Sequence, residues 1–311
     1  MIRRTWRGIL FGIATAATAL FVLGLVLQFS IRDRVPGFSI LYYATPWPVL
    51  AVCGGVLALY WHRHRRRTVA SGLAAAAFVA LGCWLTLDWE WRRPPASNGA
   101  LRVVLWNADR PDSRLPGDVR WLRAQDADII AIAERQPRKK NTEKRWRTAF
   151  YNYEHVISAG EMLCLIRGEV GVVEKTWLDD GSYGVLIPAR VRGQDVTVFQ
   201  VDINGSPPVN RREPLHQVAE VVGKHRAERL IVLGDFNTPR HSEHLLPLRA
   251  EATNAFEAVG NGCAATWPMP LPVLSLDQMW TNSLLRPVRC EHIISWRSDH
   301  RPVVAEFDFM R

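Results

Sequence analysis

Several apolar stretches of this chain end in a side chain that can bind a cation or a phosphate oxygen. The clearest is RLIVLGDFN, residues 229–237. Leu230 to Leu233 has the composition of a buried central strand. Gly234 lets the backbone turn or approach a neighbour closely. Asp235 and Asn237, two residues apart, leave an extended strand end on the same side. A carboxylate and an amide so placed can hold a hard metal ion, a water or a phosphate oxygen; they can equally close an Asx-turn on local backbone groups. Glu134 ends the run DIIAIAE, where an unpaired buried carboxylate is costly, so it requires either a metal or a pair with Arg135 or Arg138. Asn107 ends LRVVLWN, Asp202 falls near the end of VTVFQVDI, and Asp277 lies in LSLDQMWTN. Asp299 and His300 precede the alternating run in SDHRPVVAEFDF.

The elements that must position these residues alternate in type. Strands are expected at 101–107, 128–134, 162–166, 185–191, 196–203, 230–233 and 274–282, with a last strand near the C-terminus. A helix is expected at 118–126. A second, at 212–226, has Leu215, Val218, Ala219 and Val222 at helical spacing; a third begins near Ser242. The many adjacent strands predict antiparallel pairing in a layered α/β sandwich. No Gly-rich phosphate loop follows an early strand, which argues against a doubly wound nucleotide fold. The basic run 135–147 reads as a solvated loop or helix face that can also attract an anionic substrate or lipid headgroups.

Charge separates the chain into two parts. The net charge is +9. Residues 1–100 hold 11 basic and 3 acidic residues, and residues 101–311 hold 28 and 27. A balanced second part argues against a dedicated nucleic-acid binder. Cys53, Cys83, Cys164, Cys263 and Cys290 show no metal-ligand spacing; a disulfide among the last three stays open.

Three uncharged runs, about 8–29, 38–61 and 68–87, each approach the roughly 20 residues that cross a bilayer as a helix. They predict a membrane module over 1–90 with three transmembrane helices, and Trp47 and Trp61 near the interfaces. Arg3, Arg4 and Arg7, and the HRHRRR loop at 62–67, place the N-terminus and that loop in the cytoplasm by the positive-inside rule. Residues 91–100 read as a linker, and 101–311 as a domain delivered to the extracytoplasmic, periplasmic side of the inner membrane.

The strand ends in this order resemble the endonuclease/exonuclease/phosphatase superfamily, the deoxyribonuclease I-like fold. The matching pieces are WN at 106–107, the Glu closing DIIAIAE, GDFN at 234–237, LDQMW at 276–280 and SDHRPV at 298–303. ATWP at 265–268 and the preceding spans look like a bacterial membrane-anchored subgroup. The resemblance implies a four-layered sandwich of two mainly antiparallel sheets flanked by helices, and a Mg²⁺ or Mn²⁺ cofactor. It implies that Glu134 is the main metal ligand, helped by Asn107 and Asp299. It implies that Asp235 and Asn237 position and activate water, and that Asp277 and His300 face each other with His300 near the phosphate. Asn237 and His300 are thus also the implied substrate-binding residues. Two positions depart from the pattern. Asp202 stands where the family carries His, either as a catalytic residue or as a ligand for a second metal, and Gln278 stands where Asp is more often followed by His. The implied function is a membrane-anchored phosphodiesterase or phosphomonoesterase acting on a lipid headgroup, a small phosphodiester or nucleic acid. No protein partner is implied. The competing reading is a membrane-tethered binding module of the same fold that has lost its rate.

Overall fold

The computed structural model describes residues 2–35, 37–92, 99–109, 115–135, 140–157 and 161–310. Most of the expected linker (93–98) and the segment 136–139 of the basic run, with Arg138, lie outside them. The chain divides into two compact units, Met1–Trp89 and Glu90–Arg311.

In the second unit the period-2 alternation of strands builds the layers. Val103 and Leu105 of Leu101–Asn107 face one core, with Ile129 and Ala131 of Ile129–Ala133. Val104, Trp106, Ile130 and Ile132 face the other way, against Leu122 of the helix Leu115–Ala124 and Trp146 of the helix Lys140–Ala149. In the second sheet, Val198, Ile231, Leu233 and Met279 face the shared core. Phe199, Val201 and Val232 face the helix Arg212–Lys224, whose Leu215, Val218, Ala219 and Val222 are all buried. The result is two sheets packed face to face with helices on both outer sides. Each large side chain buried this way contributes roughly 1.5–3 kcal/mol.

The first sheet runs, in order, Gly260–Cys263, Leu285–His292, Val303–Phe309, Leu101–Asn107, Ile129–Ala133, Leu163–Ile166 and Glu154–Ile157, with a short strand ending at Trp91 beyond Gly260–Cys263. The second runs Thr253–Asn254, Asp277–Thr281, Leu230–Asp235, Gln194–Asp202, Tyr183–Val191 and Gly168–Val170, and Glu174–Trp177 also pairs with Tyr183–Val191. Pairing is mainly antiparallel, but Leu101–Asn107 with Ile129–Ala133 and Gln194–Asp202 with Leu230–Asp235 are parallel. No disulfide joins Cys164, Cys263 or Cys290.

The first unit meets the expectation of three transmembrane helices only in part. Among the described residues, two helices are long and apolar enough to cross a membrane, Gly8–Ile31 and Arg67–Leu87. The middle run is broken into Ser39–Ala44 and Trp47–Arg63. Pro46 causes the break: it has no N–H to donate and disfavours a helical Thr45. The amide of Gln28 donates to the carbonyls of Tyr42 (3.1 Å) and Thr45 (2.9 Å), satisfying acceptors the break exposes. Trp47–Arg63 has 17 residues, about 25 Å of helix, short of a hydrocarbon core of roughly 30 Å. Trp47 and Trp61 lie near the two ends of Trp47–Arg63. Both are buried in the core of this unit, and Trp61 Nε1 donates to Thr18 Oγ1 at 3.0 Å.

Candidate active site

Register brings the strand ends together. Parallel pairing puts Asp202 level with Asp235, and antiparallel pairing puts Asp277 level with Asp235 on its other side. Three carboxylates therefore stand side by side on three adjacent strands, on the face turned toward the other sheet. Gly234 makes this spacing possible: at φ +155, an added Cβ would sit 1.8 Å from the Val201 carbonyl oxygen. On the facing sheet Asn107 pairs with Ala133, and Glu134 is the next residue.

Asn107 bridges the sheets. Its Nδ2 donates to Glu134 Oε1 at 3.2 Å and to Asp235 Oδ2 at 3.0 Å, while its Oδ1 accepts from the Asp109 N–H at 3.1 Å. Asp235 Oδ1 accepts from the Asn237 N–H at 2.9 Å, so the Asx-turn is present and leaves the other oxygen for the site. Asn237 Nδ2 donates to the Ile203 carbonyl at 2.7 Å. Glu134, Asn237 and Asp109 all have φ between 46 and 47, a region sparsely used by residues other than Gly. Strained backbone of this kind clusters at functional sites.

His300 Nδ1 lies 2.7 Å from Asp277 Oδ2, and both residues are buried. The His300 N–H donates to Ser298 Oγ (3.1 Å), whose hydroxyl donates to the Asn107 carbonyl at 2.8 Å. Asp299 is half exposed, with Oδ1 4.0 Å from His300 Nε2 and Oδ2 accepting from Trp267 Nε1 at 3.0 Å. Ligand atoms of Asp235, Asp277 and His300 all lie within 4.8 Å of one another.

Electrostatics separates the roles. Burial, then repulsion from Asp277, pushes Asp235 well above the usual carboxylate range, against the pull of His300 and its hydrogen bonds. Burial alone would lower the imidazolium of His300, but Asp277, with Asp235 and Asp299, outweighs it and raises His300 to about 10. At neutral pH His300 is thus a cation held by Asp277.

The donor set suits a hard divalent cation, which takes carboxylate and other oxygen ligands. Asp277 Oδ1 is buried with no hydrogen-bond partner among the described residues. Burial, reinforced by the charge of Asp277, raises Asp235 above the usual carboxylate range. Both observations mark a pocket with more acceptor oxygens than it has protein donors.

Asn107, Glu134, Asp202, Asp235, Asn237, Asp277, Asp299 and His300 lie on this strand-end face or in the network joined to it. Gln278 does not: its Nε2 donates to the carbonyls of Thr238 (2.8 Å) and Ser275 (3.2 Å), away from Asp277. Sequence reasoning missed Asp109, Ser298 and Trp267. Asp109 repeats the i, i+2 spacing of Asp235 and Asn237, and Trp267 lies in the ATWP segment; both signals were present. Ser298 is marked only by its hydrogen bonds.

The model of the Endonuclease/Exonuclease/phosphatase family matches residues 104–300. Among solved structures, a family protein from Bacteroides thetaiotaomicron superposes with a TM-score of 0.59 at 15% identity, covering 70% of this chain and 100% of that one. A mannosyl-6-phosphatase from the same organism gives 0.57 at 15% identity, covering 68% and 100%. D. rerio TDP2, humanized by 14 mutations, gives 0.56 at 15% identity with the same coverages. At these identities the likeness shows the fold. A comparison with the curated proteins finds no match. The matched segment spans the strands that carry the site, and on that ground the chain belongs to the endonuclease/exonuclease/phosphatase family.

Proposed function

We propose that the second unit is a divalent-cation-dependent hydrolase of phosphodiester or phosphomonoester bonds, and that the first unit anchors it in a membrane. The observation that carries the catalytic reading is the buried Asp235–Asp277–His300 cluster, joined through Asn107 to Glu134. Structures of the same fold include a phosphatase and a D. rerio TDP2 with a single-strand DNA product, which supports phosphoesters as the substrate class.

Glu134 and Asp299 are the residues that would hold Mg²⁺ or Mn²⁺, with Asn107 fixing the Glu134 carboxylate. When bound, the cation neutralises charge on the phosphoryl oxygens. His300, protonated and oriented by Asp277, donates from Nε2 to a phosphoryl oxygen and stabilises the charge that develops there. Its raised pKa makes it a poor base. Asp235, raised toward neutrality, is therefore the group that takes the proton of the attacking water. Asn237 fixes Asp235 through its N–H and borders the same pocket. Asp202 lies level with Asp235 on the neighbouring strand, as a further carboxylate of the same site.

Membrane anchoring is supported by the outward faces of the first unit. Ile13, Leu20, Val22, Val52, Val56, Leu59 and Phe78 are exposed apolar residues, a surface that suits lipid rather than water. Ser39–Ala44 and Trp47–Arg63 together form the middle crossing, tolerated because the break packs within the bundle. With three crossings, the N-terminus and the 62–67 loop lie in the cytoplasm, and the hydrolase lies on the extracytoplasmic side.

The test is hydrolysis of bis(p-nitrophenyl) phosphate by the full chain in detergent, with Mg²⁺ or Mn²⁺ and after chelation. Turnover that disappears with EDTA and returns with Mn²⁺ is expected. Absence of turnover with either metal contradicts the reading.

A further inference from the structure

Two loops flank Asp299, and each holds large apolar side chains out in solvent. Residues 267–274 (WPMPLPVL) form a tight loop closed by the bridge between Trp267 and Leu274. Leu271 at its tip is 78% exposed. Residues 293–297 (IISWR) lead into the Ser298–Asp299–His300 turn, and Ile294 and Trp296 are 72% and 76% exposed. Both loops are tied to the site. The Met269 N–H donates to the Asp299 carbonyl at 2.7 Å, and Trp267 Nε1 donates to Asp299 Oδ2.

Their exposure is built in. Ser295 and Ser298, on either side of Trp296, are buried. Arg297 Nη1 is 3.1 Å from Asp118 Oδ1, and the Arg297 N–H donates to Ser295 Oγ at 3.3 Å. With its neighbours pinned, Trp296 cannot fold inward. In the other loop Pro268, Pro270 and Pro272 carry no N–H. Trp267, Met269, Val273 and Leu274 give theirs to backbone carbonyls. Leu271 thus has the only uncommitted backbone donor in that loop among the described residues, and none of the loop's side chains is charged.

Exposed Trp, Ile and Leu, beside a 267–274 loop whose backbone donors are nearly all committed, fit the apolar boundary of a lipid layer. There, unsatisfied N–H groups are costly and Trp is favoured. It does not fit a nucleic-acid strand, which requires a cationic groove along its backbone. The unit's basic and acidic residues nearly cancel, and Arg297 is already engaged with Asp118.

We infer that Leu271, Ile294 and Trp296 form a lipid-contacting rim beside the active site, and that the phosphoester taken there is the headgroup of an amphiphile. The substrate half of this inference rests on the phosphoesterase reading; the surface half does not. The full chain is placed in nanodiscs of phosphatidylcholine and phosphatidylglycerol with brominated acyl chains. Trp296→Phe is expected to lower the fraction of tryptophan fluorescence the bromolipid quenches, and an unchanged fraction overturns the rim. For the substrate class, the rate on phospholipid in mixed micelles is divided by the rate on bis(p-nitrophenyl) phosphate. The triple variant Leu271→Ser, Ile294→Ser, Trp296→Ser is expected to lower this ratio by roughly tenfold or more, from the lost apolar contacts. An unchanged ratio, or no phospholipid turnover by the wild type beside active diester hydrolysis, overturns the amphiphile. A change in oligomeric state with unchanged quenching makes the rim a self-association surface and also overturns it. Failure of the wild type on the soluble diester sinks the phosphoesterase reading and the amphiphile with it, and the quenching comparison still decides the rim.

Discussion

A buried carboxylate survives only with a partner, and the site is a solution to that constraint for several at once. Asp277 is held by His300, while Asp235 is held by Asn107 and the Asn237 N–H. Residue types made this much legible in the sequence: Asn107, Glu134, Asp235 and Asn237 were marked as polar groups closing apolar runs, Asp277 lay within one, and His300 preceded one. The charge on His300 was not legible, because it arises from three carboxylates that converge only in the fold. Asp202 is one of the two positions, with Gln278, that the resemblance marks as departures. Replacing it by His restores a group able to donate a proton to a leaving group. Asp202→His is expected to keep or raise kcat/KM on a chromogenic diester. A collapse in rate would show that the carboxylate has a required role of its own.

At the scale of elements, long apolar runs were readable and short edge strands were not. Leu101–Asn107, Ile129–Ala133, Leu230–Asp235 and the helix Arg212–Lys224 fall close to their expected ranges. Glu154–Ile157, Gly168–Val170, Glu174–Trp177 and Gly260–Cys263 went unread, since three or four partly exposed residues carry too little periodicity. The basic run, read as a loop or a helix face, forms the helix Lys140–Ala149, whose buried Trp146 stacks on Phe150 at 5.9 Å. At the end of Leu285–His292, His292 lies flat on Phe256 with ring centroids 4.3 Å apart. Burial, then the charge of Arg301, lowers His292 to about 3. The folded state therefore keeps it neutral, while the unfolded chain takes up a proton below its ordinary value of 6.5. Its contribution is complete above pH 6.5 and falls as pH drops toward 3, by about 1.4 kcal/mol per pH unit. Thermal melts of the full chain should show His292→Gln as less pH-dependent than wild type between pH 6.5 and 4. Equal slopes would contradict this assignment.

At the scale of the whole molecule, the chain joins a basic apolar unit to a charge-balanced two-sheet sandwich. Hydropathy located the apolar runs, and in the middle one Pro46 ends one helix and precedes the next, which begins at Trp47. The proposed topology is tested by a reporter fused after Arg311, which should report the extracytoplasmic side; a cytoplasmic signal would reverse it. The sandwich exists to bring side chains some two hundred residues apart into one pocket, and Glu134 is the ligand on which the proposed chemistry depends. The most direct measurement is Mn²⁺-dependent hydrolysis of bis(p-nitrophenyl) phosphate by Glu134→Ala beside wild type, with circular dichroism of both. A loss of roughly 10²-fold or more with an unchanged spectrum is the predicted result. Wild-type turnover in the variant would contradict the account.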